Sequence, residues 1–552
     1  MPDTTSPWTE VSPLGDLLLK NAYRRPEQLA LIFPEARVSF GQLLDGALAV
    51  ARGLVGHGVR PGDHVGLLAP NGILFVEALF GIALIGAVVV PLNVRHKATE
   101  LAYIIQNAEL VAVLTQAEQG AHVDFAALLG EALPGLAASD AGAPLRLPEA
   151  PQLRHVVLLG GPDRPGLVAP GVFARVADGV TAQHVRALSR QVRLRDIATI
   201  IYTSGTTAHP KGCMLSHEAL TRGPVERAQY RLASGEADVH WGAGPLFHIG
   251  SLGPALGALG AGLTYATDLY FDAPRAMALL REGRATTIWP WFPAIVQALL
   301  DQPGFDAQHL PHLQRIVLIT SSALAELVQA RFPDAEILQG CGMTETAGIF
   351  GLSGPADTRS ERMNTQGKVY PGLEIRLIDP TSGQDAAPGT IGEILVRGYC
   401  VMEGYYKDPE KTAATLDAQG WLHTGDLYLR TVDGNLVFNG RLKDMLKVGG
   451  ENVATVEIES YLAQHPSVRI AEVVGKPDPR LDEVPVAFVE LQPGADVSAQ
   501  ELIDFCKGRI ANYKVPREVH FVSAGQWPMS LTKIDKRGLR QRLAQRADAS
   551  VG

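Results

Sequence analysis

Apolar residues recur in two rhythms along the chain. Over residues 43–54 they return with helical spacing, whereas residues 64–68 (His-Val-Gly-Leu-Leu) form an apolar run with the length of a buried strand. The same patterning predicts a helix over 75–84 and strands over 88–90 and 110–114. Residues 73–92 are apolar for long enough to suggest a membrane span. Glu77 inside that run, and the strand-like ending closed by Pro91, favour a buried helix followed by a buried strand. Residues 133–170 are rich in Ala, Pro and Gly, which predicts irregular surface interrupted by a strand at 155–159. Further strands are expected at 197–201, 287–289, 315–319 and 336–338, and a helix from near Ser216.

After Pro371 the texture changes to short alternating segments, 374–378 and 393–397, separated by Gly-rich turns, as in a small β-rich subdomain. The charged run Arg441-Leu442-Lys443-Asp444 marks a boundary. Beyond it, a helix at 454–462, strands at 470–474 and 486–490 and a helix at 499–510 predict a compact α+β domain. The expected class is α/β. A large N-terminal domain of α/β subdomains with a small β-rich subdomain fills 1–440, a hinge lies at 441–444, and a small mobile α+β domain fills 445–552.

Length agrees, since 552 residues exceed what one hydrophobic core holds. With 46% hydrophobic and 19% charged residues the chain reads as folded, not disordered. A net charge of −9 without a basic stretch argues against nucleic acid as a partner. Cys213, Cys341, Cys400 and Cys506 are too widely spaced for a disulfide framework or structural zinc. No secretory signal is visible at the N-terminus, so the cytoplasm is the expected compartment.

The chemistry begins at Tyr202-Thr203-Ser204-Gly205-Thr206-Thr207-Ala208-His209-Pro210-Lys211-Gly212. A strand that opens into a loop of glycines and hydroxyls ending in lysine suits a polyphosphate. It is not a P-loop. Pro210 stands where the second glycine belongs, and Gly212 follows the lysine where a magnesium-binding Ser or Thr belongs. An unliganded Ser/Thr/Gly loop is the plain alternative.

This loop and four later segments resemble the adenylate-forming superfamily of acyl-CoA synthetases, luciferases and peptide-synthetase adenylation domains. The segments are Gln339-Gly340-Cys341-Gly342-Met343-Thr344-Glu345, Gly420-Trp421-Leu422-His423-Thr424-Gly425-Asp426, Gly440-Arg441-Leu442-Lys443-Asp444 and Lys533-Ile534-Asp535-Lys536. Weaker matches at Pro61-Gly62-Asp63 and Gly404-Tyr405-Tyr406 extend the resemblance over most of the chain. It implies an ATP-dependent acid–CoA ligase working through an acyl-AMP, with ATP, Mg²⁺ and coenzyme A.

The resemblance also implies roles. Thr203, Ser204, Gly205, Thr206, Thr207 and Lys211 would hold the polyphosphate, and Ser322, Gly340, Cys341, Gly342 and Met343 would line the rest of the ATP site. Thr344 would bond the α-phosphate, while Glu345, with Thr207, would hold Mg²⁺. Asp426 would accept the ribose hydroxyls, assisted by Arg441. Lys533 would bridge the acid and the α-phosphate, and His248 would gate the carboxylate end of an acid pocket that includes Trp289, Ser321 and Gly348. Lys443 falls at the hinge, and Lys447, Gly449, Gly450 and Glu451 would line a CoA tunnel. Plainer readings remain: a capping pair for Thr344 and Glu345, a Gly-Asp turn at Asp426, a tight turn at Gly449-Gly450, a structural histidine at His248.

No arginine or lysine stands out in the acid-pocket segments, so an apolar acid is expected, medium-chain, aryl or alicyclic. Three departures from the family pattern stand out. Cys341 replaces a common tyrosine, Ser321-Ser322-Ala323 replaces Gly-Gly-Ala, and Thr532 precedes Lys533 in place of glycine, with Pro528 one residue closer than usual. Rival functions are an adenylation enzyme that loads a carrier protein and an inert nucleotide-binding protein. Expected partners are a small carboxylic acid, ATP and CoA, with a second copy of the chain left open.

Overall fold

The apolar run at 73–92 is a helix, Ile73–Leu84, followed by a strand, Val88–Pro91. This is seen in a computed structural model that describes residues 10–117, 123–203, 210–232, 235, 237–291, 293–320, 322–448, 451–478, 480–530 and 533–549. The helix is apolar nearly all round because it is covered on all sides. Its closest neighbour is the helix Phe40–Gly56, which Ser39 and Gln42 cap reciprocally. The two approach through glycine: a Cβ on Gly46 would lie 2.0 Å from Glu77 Oε1, and one on Gly81 2.8 Å from the Ala47 carbonyl oxygen.

Burial pushes the Glu77 carboxyl up to about 7. Its folded value therefore exceeds its unfolded one, and folding favours the protonated form. The resulting stability is present at acid pH and is lost as pH rises through about 7. Glu77→Gln, which cannot ionise, should be more stable than the parent above neutrality by about 1–2 kcal/mol after allowing for solvent screening. Thermal melts of both proteins from about pH 5 to about pH 8 check this. A gap that does not widen with pH would contradict it.

Among the described residues the N-terminal domain holds two large sheets with helices between and outside them. One has seven strands in the order Gly404–Tyr405, Lys211–Ser216, Ile197–Thr203, Val88–Pro91, His64–Leu68, Ala112–Gln116, His155–Gly160. The other has nine, with a parallel centre formed by Glu336–Met343, Arg315–Leu318, Thr287–Trp291, Val239–Gly242, Thr264–Ala266 and Leu29–Phe33. Its outer face packs on the helices Ala273–Glu282, Pro293–Leu300 and Ser322–Arg331, which makes a parallel sheet covered on both faces. A smaller antiparallel sheet, Leu373–Ile378, Gly392–Gly398, Leu422–Arg430 and Leu436–Arg441, is the predicted β-rich subdomain.

The C-terminal domain is the expected α+β unit. Long strands Val468–Asp478 and Asp482–Leu491 form its centre, and the helices Thr455–Leu462 and Ala499–Cys506 contribute to its core. Arg469 on the first strand pairs with Glu490 of its own domain at 3.1 Å and reaches Asp301 of the N-terminal domain at 3.5 Å.

Three expectations need correction. The helix expected to reach 510 ends at Cys506, because Lys507 is extended and Gly508 adopts a positive φ of 70°. The strand expected at 110–114 runs over Ala112–Gln116, since Glu109 turns the chain with φ of 52° first. The strand expected at 336–338 continues to Met343, where it gains a second, antiparallel partner in Gly348–Leu352.

Candidate active site

The strand Ile197–Thr203, which leads into the loop expected to hold phosphate, returns as Lys211–Ser216, with Thr203 paired to Lys211. Ser204, Gly205, Thr206 and Thr207 lie outside the described residues, so the ladder places the two ends of the loop. On its other edge Lys211–Ser216 pairs with Gly404–Tyr405. This pairing brings the Lys211 ammonium 5.1 Å from the Tyr405 ring centroid. The Tyr405 hydroxyl in turn donates to Glu345 Oε1 at 2.7 Å. Burial lowers the Lys211 pKa, the nearby Lys411 ammonium lowers it further, and Glu345 opposes them. Lys411 escaped the sequence reading; its one signal was the Gly404-Tyr405-Tyr406 match just upstream.

Strand Glu336–Met343 enters a single 3₁₀ turn, Thr344–Thr346, and comes back as Gly348–Leu352. The crossing is close: a Cβ on Gly342 would lie 2.1 Å from the Gly348 carbonyl oxygen. Ala347 and Gly348 complete the turn at positive φ, 50° and 98°. Capping falls to Thr346, whose hydroxyl accepts from the Met343 N–H at 3.1 Å and donates to the Gly348 carbonyl at 2.7 Å. Thr344 and Glu345 are therefore not the capping pair. Among the described residues the Thr344 hydroxyl makes no hydrogen bond, which leaves it free for a ligand. Cys341 is buried against Gly351 and Tyr428, and burial pushes its thiol up to about 12. The structure thus turns the Cys341 side chain into the core.

Asp426 and Arg441 face each other in register across neighbouring strands, with Nε 3.0 Å from Oδ1. Burial raises the Asp426 pKa, while Arg441 and then Lys533 pull it down. Lys533 comes from the other domain, on a hairpin in which it pairs with Ser530; Thr532 lies outside the described residues. Lys533 lies near enough to Arg441 and Asp426 for their charges to act on one another. Lys533 is hemmed in by protein yet keeps solvent-accessible surface, as a group lining a cleft does. Burial and then Arg441 lower its pKa, Asp426 opposes, and Lys443 adds to the lowering. Lys536 is committed inside its own domain, donating to Thr455 Oγ1 at 2.7 Å and to Glu459 at 2.5 Å.

His248 caps the helix Ile249–Ala261, and its Nδ1 accepts from the Gly250 N–H at 3.0 Å. That bond leaves the proton of the neutral ring on Nε2. Burial, then the charge of Lys533, holds its pKa at about 4, so at neutral pH it is an uncharged donor. Gly348 lies against the start of this helix, 3.6 Å from Ile249 measured from an added Cβ. A Cβ on Gly250 would be 4.0 Å from Trp291 Nε1, and the Trp289 and Trp291 ring centroids are 5.1 Å apart. Trp291 sits at a bulge with φ of 59°, a conformation costly for a bulky residue and typical of ligand sites. Four of the acid-pocket and catalytic residues, His248, Trp289, Gly348 and Lys533, are thus gathered.

The remainder are less closely joined. Ser321 lies outside the described residues, and Ser322 is exposed at the start of its helix, beyond the strand that pairs with Leu338 and Gln339. Lys443 is exposed in the 3₁₀ turn Leu442–Asp444, between the last strand of the β-rich sheet and the first of the C-terminal domain. Lys447 is exposed on Met445–Val448, Glu451 opens the strand Glu451–Ala454, and Gly449 and Gly450 lie outside the described residues. The sites gather at the C-terminal ends of sheet strands, where open α/β sheets bind ligands. Lys211, Lys411, Arg441, Lys443 and Lys533 outnumber Glu345, Asp408 and Asp426 there, so the cleft favours a polyanion.

Residues 18–406 match the AMP-binding enzyme family, and residues 457–533 match the AMP-binding enzyme C-terminal domain. The chain belongs to this family, the adenylate-forming superfamily, within its acyl-CoA synthetases. It is an AMP-forming acid–CoA ligase that uses ATP and CoA. A (methyl-dioxo-octahydro-indenyl)propanoyl:CoA ligase of Rhodococcus jostii is 34% identical over 92% of this chain and 94% of its own. The mitochondrial medium-chain acyl-CoA ligase ACSF2 of Homo sapiens is 30% identical over 96% and 87%. The crystal structure of the anthranilate CoA ligase AuaEII, in complex with anthranoyl-AMP, superposes with a TM-score of 0.84 at 28% identity, covering 99% of this chain and all of the other. No helix among the described residues is long and apolar enough to cross a membrane.

Proposed function

We propose that this ligase converts an acid with an apolar body to its acyl-adenylate and then to the acyl-CoA thioester, in the cytoplasm. The observation that carries the first step is the meeting of Lys533, from one domain, with Asp426, Arg441 and His248 of the other. The neutral His248 Nε2–H and the Lys533 ammonium hold the acid carboxylate. One carboxylate oxygen attacks the α-phosphorus of ATP, the bond to the bridging oxygen breaks, and pyrophosphate leaves. Lys533 and Thr344 stabilise the charge on the α-phosphate oxygens, and Lys211 and Lys411, with Thr203 and the loop residues Ser204, Gly205, Thr206 and Thr207, take the pyrophosphate end. Asp426 orients the ribose. Glu345 fits a magnesium ion: Tyr405 donates to one carboxylate oxygen, and the other would hold the ion as a hard ligand together with Thr207. When bound, that ion would neutralise phosphate charge.

Rotation about Lys443 then withdraws Lys533 and brings the segment from Lys447 to Glu451 to the cleft. The CoA thiol, deprotonated, attacks the acyl carbonyl, and AMP departs. Apolar walls at Trp289, Trp291 and Ile249 support an apolar acid body, as do the medium-chain and ring-bearing acids in the relatives' names. An inert nucleotide binder would not need the lysine, aspartate and histidine to converge. Incubating the enzyme with ATP, Mg²⁺, CoA and a panel of medium-chain, aryl and alicyclic acids should yield acyl-CoA by mass spectrometry, with AMP and pyrophosphate in equal amounts. AMP and pyrophosphate without any thioester would overturn the CoA step and favour a carrier-protein acceptor.

A further inference from the structure

The sequence offered no cation for the acid pocket, but the fold supplies one. Arg227 follows the helix His217–Glu226 and opens a turn of π-helix, Arg227–Leu232, a rare geometry frequent at functional sites. It is 3% exposed. Its guanidinium donates to the Tyr370 hydroxyl at 3.2 Å and lies 5.3 Å from the Trp289 ring centroid. Among the described residues no carboxylate forms an ion pair with it. The neighbouring arginines do have partners: Arg222 pairs with Glu218 at 3.0 Å, and Arg231 donates to the Leu352 carbonyl at 3.2 Å. The one neutral hydrogen bond of Arg227 leaves most of its donors unmet by protein and open to a ligand, with the Glu226 carboxyl near enough to feel its charge.

The groups around it share the deficit. Trp289 Nε1, Trp291 Nε1 and both nitrogens of His240 are buried without partners among the described residues, and the His240 and Trp289 rings are 6.4 Å apart. The indole and guanidinium groups can only donate, and neutral His240 donates once. Their complement is an acceptor oxygen. The helix Ile249–Ala261 runs between His248 and Arg227. Gly250 and Gly253, three residues apart, present a face without side chains. An added Cβ would meet His248 and Trp291 at the first, and Arg227 Nη2 at 3.7 Å at the second. From His248 to Gly253 the helix rises about 7 Å.

We propose that Arg227 is the specificity residue at the far end of the acid pocket, receiving a second oxygen, carbonyl or carboxylate, on an otherwise apolar acid. This rests on the acid–CoA ligase reading above and narrows its substrate class. The reacting carboxylate stays with His248 and Lys533, while the distal oxygen takes the Arg227 donors, with the Trp289 and Trp291 indoles beside them.

The test is a ratio. The kcat/KM for CoA-thioester formation is measured for straight-chain dicarboxylic and ω-keto acids of about six to nine carbons, a span set by the helix rise, and for monocarboxylic acids of matched length. The native enzyme should prefer the oxygen-bearing acid at its best length roughly ten- to hundredfold, the value of a charge-assisted hydrogen bond. Arg227→Met should bring the ratio to about one, and Arg227→Lys, which keeps charge but not the planar fork, should retain part of it. A ratio is independent of the fraction of enzyme that folds. The dicarboxylic and keto arms tell whether charge or the acceptor alone is read. Equal native rates on both series, or an unchanged ratio in Arg227→Met, overturns this proposal while the ligase reading stands. Failure of every acid to give a thioester overturns the ligase reading itself.

Discussion

Replacing Lys533 with alanine should reduce acid-dependent ATP–pyrophosphate exchange by on the order of a thousandfold. Two opposite unit charges ~4 Å apart at an effective dielectric near 20 attract by about 4 kcal/mol, and a loss of that size from the transition state is about a thousandfold in rate. Burial and the charge of Arg441 disfavour the ammonium of Lys533. Its attraction to the α-phosphate is therefore realised when the nucleotide and acid are in place. The thioester half-reaction tells a local loss from a general one. Supplied with synthetic acyl-AMP and CoA, Lys533→Ala should form thioester at close to the native rate, because the proposed rotation would by then have withdrawn the lysine. Native-level exchange in the variant, or equal loss of both half-reactions, would remove Lys533 from its assigned place.

The second large effect is expected at Asp426. Alanine there should weaken ATP binding by roughly a hundredfold, from two charge-assisted hydrogen bonds at about 1.5 kcal/mol or more each. The decisive comparison is with 2′-deoxy-ATP. The native enzyme should discriminate against it, and Asp426→Ala should not, since the carboxylate that senses the missing hydroxyl is gone. Discrimination that survives the substitution would mean that Asp426 serves Arg441 and the strand pairing alone.

Much of this was legible in the sequence because it is local. Residues 64–68 read as a strand and are one, and the apolar run around Glu77 read as helix then strand. The motifs placed Glu345, Asp426 and Lys533 by resemblance, and the fold brings their charges within mutual influence. What stayed hidden depends on long-range pairing. Tyr405 orients Glu345 because its strand adds to the edge of Lys211–Ser216, a partner nearly two hundred positions away. Lys411 enters beside Lys211 through the same pairing. Arg227 lies outside every motif, in a turn of π-helix whose burial comes from packing that the sequence does not show. Gly342 shows the reverse. A motif glycine that the resemblance places at the ATP site is also required where two strands cross.

The crowding of Arg441, Lys443 and Lys533 around Asp426 carries a consequence for timing. On the proposed mechanism the triphosphate would be the counterion to these like charges and would bind the two domains to each other. Closure and ATP binding are then thermodynamically linked, each strengthening the other by the same factor. Departure of pyrophosphate removes most of that negative charge in one step. On the proposed mechanism the leaving group of the first half-reaction would thereby release the latch, so that the rotation for the second follows the first.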